Sequence, residues 1–393
     1  QYSGRYNEAQ VGGNSPVGNP SYLPTYYQGP AGSGVNFAPG LNIANYPVTP
    51  SNLAGGAEVP TANIFVDEDL KTPVVHEFST SYGTTLGSQK GYAEVSYVFR
   101  KTTNLVEDFR TRAEGTTNVT LQGLDLGAVS NIVFRNSDIA KREYQALILQ
   151  TRYRPFGALS VNGHYTVQLR NHGNYEGEGS NLPGDTSPIG DYPEALSADR
   201  YYPFGRLQNY QRHRLRLWTI YNLNFRKFGT ASVSGLWRVD SGLAYSLLAR
   251  NVAPNATQRA LVAAAGYPDL PGSNHVYFGE RGSETFKGAG LFDTSINYEI
   301  PLFRSLRPWL KFDVYNLFNN QKLIAWNTTI SPNLNSPRDA LGIPTGFTRS
   351  AAFGTASGNT VTNGDITNIP VYPQWVGGNN GGRTIRAAFG LRF

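Results

Sequence analysis

The stretch Ala158–Arg170, ALSVNGHYTVQLR, decides the fold. Taken alternately, Leu159, Val161, Gly163, Tyr165, Val167 and Leu169 form one set, and Ser160, Asn162, His164, Thr166, Gln168 and Arg170 form the other. Side chains of a β-strand point to opposite faces with a period of two, so this segment is a strand with one apolar and one polar face. The same alternation recurs at the chain end. There Ile385, Ala387, Phe389, Leu391 and Phe393 oppose Thr384, Arg386, Ala388, Gly390 and Arg392.

Working outward, the pattern predicts nine strands. They are Val75–Leu86, Gly91–Arg100, Arg142–Tyr153, Ala158–Arg170, Arg212–Asn224, Thr230–Asp240, Gly290–Ile300, Trp309–Phe318 and Arg383–Phe393. Arg142–Tyr153 is the weakest, because both of its faces are mixed. Val129–Asn136 is a further candidate. The strands are long against the five or six residues usual in globular proteins. Their connections alternate between short turns and long loops, the long ones being Lys101–Lys141, Asn171–Gln211, Ser241–Ala289 and Asn319–Gly382. Short turns at one end and long loops at the other characterise outer-membrane barrels. The expected fold is therefore all-β, an antiparallel transmembrane β-barrel seen in part, with long extracellular loops, in a bacterial outer membrane. Tyr82, Tyr92, Tyr153, Trp237, Tyr298 and Trp309 fall toward strand ends, as interfacial aromatic belts do.

Composition agrees. Charged residues make up 16% of the 393-residue chain, below the quarter or so usual in soluble domains, while Gly, Tyr, Phe and Pro are abundant. There is no Cys, so neither a disulfide nor a thiolate metal site is available. No apolar run is long enough for a transmembrane helix, which leaves a barrel open as a way to span. The net charge of +6 is scattered rather than gathered in a patch, which argues against nucleic acid as a partner. Residues 1–73 carry Gly, Pro and Asn without periodicity and read as an extended loop segment, with 74–393 as barrel. That segment could also supply strands of its own.

The polar faces gather Glu77, Glu94, Arg100, His164, Gln168, Arg170, Arg214, Arg216, Arg238, Asp240, Asp293, Glu299 and Arg386, the candidate lumen-lining set. Opposite charges on adjacent strands form cross-strand pairs. A wet interior needs such groups on structural grounds alone, and a solute path is the sharper reading. The loop Asn171–Gln211 carries Glu176, Glu178, Asp185, Asp191, Glu194 and Asp199; it suits a solvated acidic loop better than calcium, since the spacing matches no EF-hand. No catalytic constellation, metal-ligand spacing or phosphate loop is present, so neither an enzyme nor a cofactor is expected.

Several stretches carry a family resemblance. They are Lys71–Phe78 (KTPVVHEF), Tyr97–Thr102 (YVFRKT), Arg142–Leu147 (REYQAL), Asn171–Glu178 (NHGNYEGE), Phe312–Asn319 (FDVYNLFN) and the terminal Phe389–Phe393 (FGLRF). Together, over about Asp67 to Phe393, the chain resembles the C-terminal barrel of an Oar-like TonB-dependent receptor. The resemblance implies a wide, plugged barrel of about 22 strands. It also implies a carboxypeptidase-regulatory-like N-terminal domain, and transport of a bulky solute driven by an inner-membrane energy-coupling partner. Phe389, Leu391 and Phe393 are similar to the outer-membrane assembly signal. Nine is an odd number, and the first and last strands run the same way, so they cannot close on each other in antiparallel register. The expected partners are therefore outer-membrane lipid and a missing N-terminal barrel and plug portion or another chain. A passive porin or structural barrel subunit, and a secreted soluble glycan-binding module, are the alternative readings.

Overall fold

The computed structural model describes residues 63–88, 90–121, 124–175, 187–302, 306–320, 324–355 and 382–392. Phe393, Glu176, Glu178, Asp185 and residues 1–62 lie outside the described residues. The fold is all-β. Its main element is an antiparallel sheet whose long strands follow one another in chain order. They are β1 (Val74–Leu86), β2 (Gly91–Thr103), β3 (Arg142–Phe156), β4 (Leu159–Gly173), β5 (His213–Asn224), β6 (Thr230–Asp240), β7 (Ala289–Glu299), β8 (Arg307–Tyr315) and β9 (Thr384–Arg392). Each matches one of the nine expected strands to within a few residues at its ends. A two-residue strand, Gly205–Arg206, is appended to β4. Among the described residues, β1 pairs only with β2 and β9 only with β8, so the sheet has two open edges.

Register fixes which side chains share a face. On one face Leu149 of β3 lies between Val95 of β2 and Tyr165 of β4. On the same face Ile296 of β7 lies between Val233 of β6 and Phe312 of β8. On the other face Arg216 of β5 lies between His164 of β4 and Arg238 of β6. The mixed character of β3 is also explained. Ala146 and Ile148 sit on the polar face beside Gln168 and Thr166, while Leu147 and Leu149 sit on the apolar one. The expected aromatic set divides in the same way. Tyr82, Tyr153, Trp237 and Tyr298 share the apolar face, whereas Tyr92 opposite Arg152 and Trp309 opposite Glu299 lie on the polar one.

The short turns demand glycine where strands crowd. Gly87 and Ser88 both take positive φ, 51° and 52°, in the turn closing β1 to β2. Gly229, entering β6, has φ 107°, and a Cβ there would stand 2.1 Å from the Glu299 carbonyl oxygen.

The buried apolar core does not lie under the sheet. It lies among the four long loops, where Leu105, Ile189, Tyr192, Leu196, Tyr201, Ala249, Val262, Val276, Ile330 and Ile343 pack into one cluster. Each long loop contributes to it. Ile64–Val66 pairs in parallel with Ile132–Ser137, which pairs with Leu105–Phe109. The extra strand suspected near Val129–Asn136 therefore exists, but it belongs to the loop unit and not to the long sheet. Asn274–Tyr277, Leu248–Val252, Ile330–Pro332 and Phe347–Arg349 form a second small sheet. The helix Ala256–Ala265 starts at a capping box in which Asn255 accepts from the Gln258 amide, and ends at Gly266 in the left-handed region. Polar contacts join the loops. Gln258 donates to the Ala195 carbonyl at 2.9 Å, Arg112 to the Gly266 carbonyl at 2.7 Å, and Arg200 to the Pro344 carbonyl at 2.8 Å.

Gly229→Ala is expected to destabilise the fold by about 1–3 kcal/mol, the usual range for a residue forced into a disallowed backbone region. Gly157→Ala, where a Cβ meets nothing within 4 Å, should leave stability nearly unchanged. Thermal unfolding of the two variants measures both, and equal midpoints would contradict this turn geometry.

Candidate functional site

The polar face carries a ladder of ion pairs. The Arg216 guanidinium donates to both carboxylate oxygens of Asp240, at 2.8 and 2.9 Å, and Arg214 stands 4.0 Å from the same carboxylate. Arg238 pairs with Asp293, whose other oxygen accepts from the Asn316 amide at 2.8 Å. Glu299 accepts from Arg307 at 3.3 Å and from Arg392 at 3.1 Å. Arg386 lies opposite Asp313 in register, and His164 lies between Gln150 and Arg216. These pairs join β5 to β6, β6 to β7, and β7 to β8 and β9. They neutralise charge across the sheet and hold the strands in one register.

Arg170 departs from the expected face. Gln145 pairs with Arg170 and Ala146 with Gln168, so Leu169 is an extra residue, a β-bulge. Past a bulge the alternation shifts by one. Arg170 therefore joins the face of Phe99 and Gln145 and pairs with Glu143 at 2.8 Å, whereas Gln168 keeps company with Ala146 on the polar face. Phe389 and Leu391 lie on the apolar face of β9, opposite Leu310 and Pro308.

At the long-loop end of β1 to β5 the polar face opens into a cleft of about 1030 Å³. Its walls include Glu77, Arg100, Arg142, Tyr144, Gln168 and Arg214. Arg100 is held by Glu77 and lies 5.8 Å from the centre of the Tyr144 ring. The Gln168 side-chain oxygen accepts from the Gln211 amide at 2.9 Å. Three guanidinium groups against one carboxylate leave these walls net positive, with an aromatic ring and amides beside them. Glu77, Arg100, Gln168 and Arg214 were legible as polar-face residues; Arg142 and Tyr144 were not, because the face of β3 is ambiguous until Thr102 and Arg100 are seen opposite them.

A charged cluster is buried within the loop unit, and no sequence signal marked it. Leu105–Phe109 is buried along its whole length, and Glu107 has no exposed surface. Glu107 lies near Asp108, Asp191 and Ser187, and its carboxyl is pushed up to about 9, chiefly by burial and next by Asp108. Arg110 stands 3.6 Å from Asp108 and 3.8 Å from Asp191 and partly neutralises both. Asp191 is nonetheless pushed up, first by burial and then by Asp108. A cavity of about 400 Å³ adjoins the cluster, with Asp108, Arg110, Asp191, His275 and Arg281 in its walls. Within the loop expected to be acidic and solvated, Glu194 and Asp199 are exposed while Asp191 is paired. Among the described residues no three His, Asp or Glu side chains converge as metal ligands would.

No protein-family model and no curated protein matches the chain. Among solved structures it is similar to the ferric-catecholate import receptor Fiu of E. coli, at 13% identity and a TM-score of 0.33, over 67% of this chain and 26% of that one. It is also similar to the outer membrane transporter YddB of Escherichia coli, at 11% identity and a TM-score of 0.38, over 64% of this chain and 30% of that one. The chain thus spans less than a third of the length of either.

The buried acid gives a pH prediction. In the unfolded chain Glu107 loses its proton near 4.5, while in the fold it keeps it up to about 9. Between those values the folded state holds a proton that the unfolded state has lost, so stability falls as pH rises through this window and levels off above it. Asp191 acts in the same direction. Glu107→Gln should make the slope of the thermal midpoint against pH shallower; an unchanged slope would refute the assignment of the proton to Glu107.

Proposed function

We propose that this chain forms part of the wall and the external cap of an outer-membrane transporter. In the finer reading it is a TonB-dependent receptor of the Oar-like group, coupled to an inner-membrane energy source. The observation that carries the membrane reading is the apolar face of the long sheet. Phe389 is 87% exposed, Tyr82 75% and Phe78 59%, with Val95, Leu149, Ile296, Leu310 and Ile385 also exposed beside them. Monomeric soluble proteins rarely leave contiguous apolar patches beyond a few hundred Å². A soluble sandwich would pack this face against a second sheet. Here the apolar core has instead been built among the loops. Lipid is the solvent that suits such a face, and the opposite polar face then lines the interior.

Aromatic pairs lie at both ends of the apolar face, as interfacial belts do. Phe156 and Tyr221, at 6.2 Å, and Phe225 and Tyr298, at 6.2 Å, lie by the short turns. Trp237 and Phe292, at 5.6 Å, lie toward the long loops. With the short turns periplasmic, the loop unit is external and the Arg-rich cleft lies beneath it, where a captured solute would enter the barrel. Both open edges run toward the periplasm, so an odd number of further strands closes an antiparallel barrel. The roughly 22-stranded barrel of the resembled family leaves such an odd remainder.

Arg at a lipid-facing position near the midplane costs about 2–4 kcal/mol. Ile296→Arg should therefore reduce the heat-modifiable, membrane-inserted fraction strongly, and Asn297→Arg on the polar face much less. Equal losses would overturn the assignment of faces. Conductance separates a gated transporter from the porin alternative. The full-length protein in a planar bilayer should give no steady open-channel current, and an ohmic current would favour the porin.

A further inference from the structure

The Arg-rich cleft on the polar face is laid out in rows. Glu77, Arg100, Tyr144 and Asn171 stand side by side across β1 to β4. The next row toward the long loops holds Val75, Thr102 and Arg142. Gln168 and Arg214 lie on the other side, toward the short turns. Arg142 is in register with Gly173 of β4, and Arg214 with Thr166. With Leu169 bulged out, those two positions of β4 are about 20 Å apart along the strand. Guanidinium charge is therefore spread along the wall and not gathered at one point. The carboxylate within the cleft, Glu77, is held by Arg100. Asp240, beyond Arg214, is bound through both oxygens by Arg216. Even with that pair counted, the guanidinium groups Arg100, Arg142, Arg214 and Arg216 face only the carboxylates Glu77 and Asp240 among the described residues.

Nearly all of the cleft is polar. Among its described residues Val75 is the one hydrocarbon side chain and Tyr144 the one ring. Small-molecule pockets are lined mainly by apolar groups, so these walls suit a solute that is hydrophilic over its whole surface. The volume of about 1030 Å³ stands at the upper end of the range of such pockets, about 300–1,000 Å³. That is room for several linked units, and a charge repeated along the wall matches a charge repeated along a chain. A peptide needs apolar subsites for most of its side chains, and the walls lack them. A sugar chain offers hydroxyls that both donate and accept, as the amides of Gln168, Asn171 and Asn209 also do. We propose that the cleft binds an acidic oligosaccharide with carboxylates on successive sugars. Arg142 and Arg214 pair with carboxylates at the two ends of the bound stretch, through charge-assisted hydrogen bonds of the strong, forked kind. Gln168, Asn171 and Asn209 take hydroxyls between them, and the Tyr144 ring packs against the C–H face of a sugar. This inference names the solute class of the transporter reading above and rests on that reading.

The test is calorimetric titration of the full-length protein, extracted from outer membranes in detergent. The probes are the tetramers of galacturonate and mannuronate, with maltotetraose as the neutral sugar and tetraglutamate as the acidic peptide. At least one uronate tetramer should bind, more weakly as salt is raised, and about tenfold or more tighter than maltotetraose or tetraglutamate. In the combined variant Arg142→Gln, Arg214→Gln the affinity for that tetramer should fall about tenfold or more, equivalent to at least about 1.4 kcal/mol. Where the combined variant fails to insert, Arg214→Gln alone decides, since Arg214 is exposed and Asp240 keeps Arg216. Undiminished affinity in the variant that inserts overturns the proposal. Equal binding of maltotetraose removes the role of the guanidinium groups, and equal or tighter binding of tetraglutamate replaces the sugar with a peptide; either result overturns it. A normally inserted parent that binds neither uronate tetramer overturns the inference and leaves the transporter reading standing. A parent that fractionates as a soluble protein overturns that reading, and this inference with it.

Discussion

Backbone hydrogen bonding between sequential neighbours is the constraint on which everything else in this structure depends. Each long strand pairs with the next in the chain, from β1 to β9, so every interior strand is hydrogen-bonded to a neighbour on both sides along most of its length. In an apolar surrounding an unpaired peptide group costs several kcal/mol, and only closed ladders or helices avoid that cost. The ladder also dictates the side chains. Once Leu217 of β5 is set opposite Trp237 of β6, Arg216 must stand opposite Arg238, and all remaining residues of both strands are assigned to a face. A slip by one residue would turn the apolar set of a strand into the polar interior, so the pattern and the register enforce each other.

This explains why the long sheet was legible in the sequence and the loop unit was not. Period two is a local signal, and each strand carries enough of it to be placed alone. Even β3 was located, although Ile148 on its polar face obscured which face was which. The bulge at Leu169 left no such trace. It shows only when Gln145 and Ala146 are matched against Arg170 and Gln168 on the neighbouring strand, and the face of Arg170 was misread for that reason. The loop core has no period at all. Tyr192, Tyr201, Val262 and Ile343 come from three different loops and meet through tertiary packing. Glu107 and Asp108 are the extreme case, since adjacent carboxylates in a sequence suggest an exposed turn, and here they sit in a fully buried strand.

The two halves of the molecule are stabilised in different ways. The long sheet buries little apolar side-chain surface of its own and relies on ladder bonds and on ion pairs such as Arg216 with Asp240. The loop unit has the close-packed interior of a small globular domain, with Ile189, Val262 and Val276 fully buried. Four loops that share one core cannot move independently. An opening of the unit must break contacts such as Arg200 to the Pro344 carbonyl and Asn255 to the Leu341 carbonyl together. Burying Glu107 within that core weakens it wherever the carboxyl is ionised, and the acid therefore stays protonated in the fold over the neutral range. A loop unit that holds Glu107 and Asp191, both pushed up by burial, has a cohesion that depends on protonation, unlike the salt-bridged sheet.

Among the described residues the long sheet has two open edges, and their direction constrains what can pair with them. β1 enters from the loop unit and leaves at the turn Gly87–Lys90, and β9 enters from the last long loop and runs in the same direction. Two copies of this chain set side by side with a common axis would bring β9 of one against β1 of the other in parallel. Parallel ladders have slanted bonds and a different pairing pattern, and they normally follow a crossover connection that a meander lacks. A second copy therefore continues the antiparallel order poorly. A segment with an odd number of strands continues it at both seams. The parity of the meander thus selects among partners on backbone geometry alone, independent of any family resemblance.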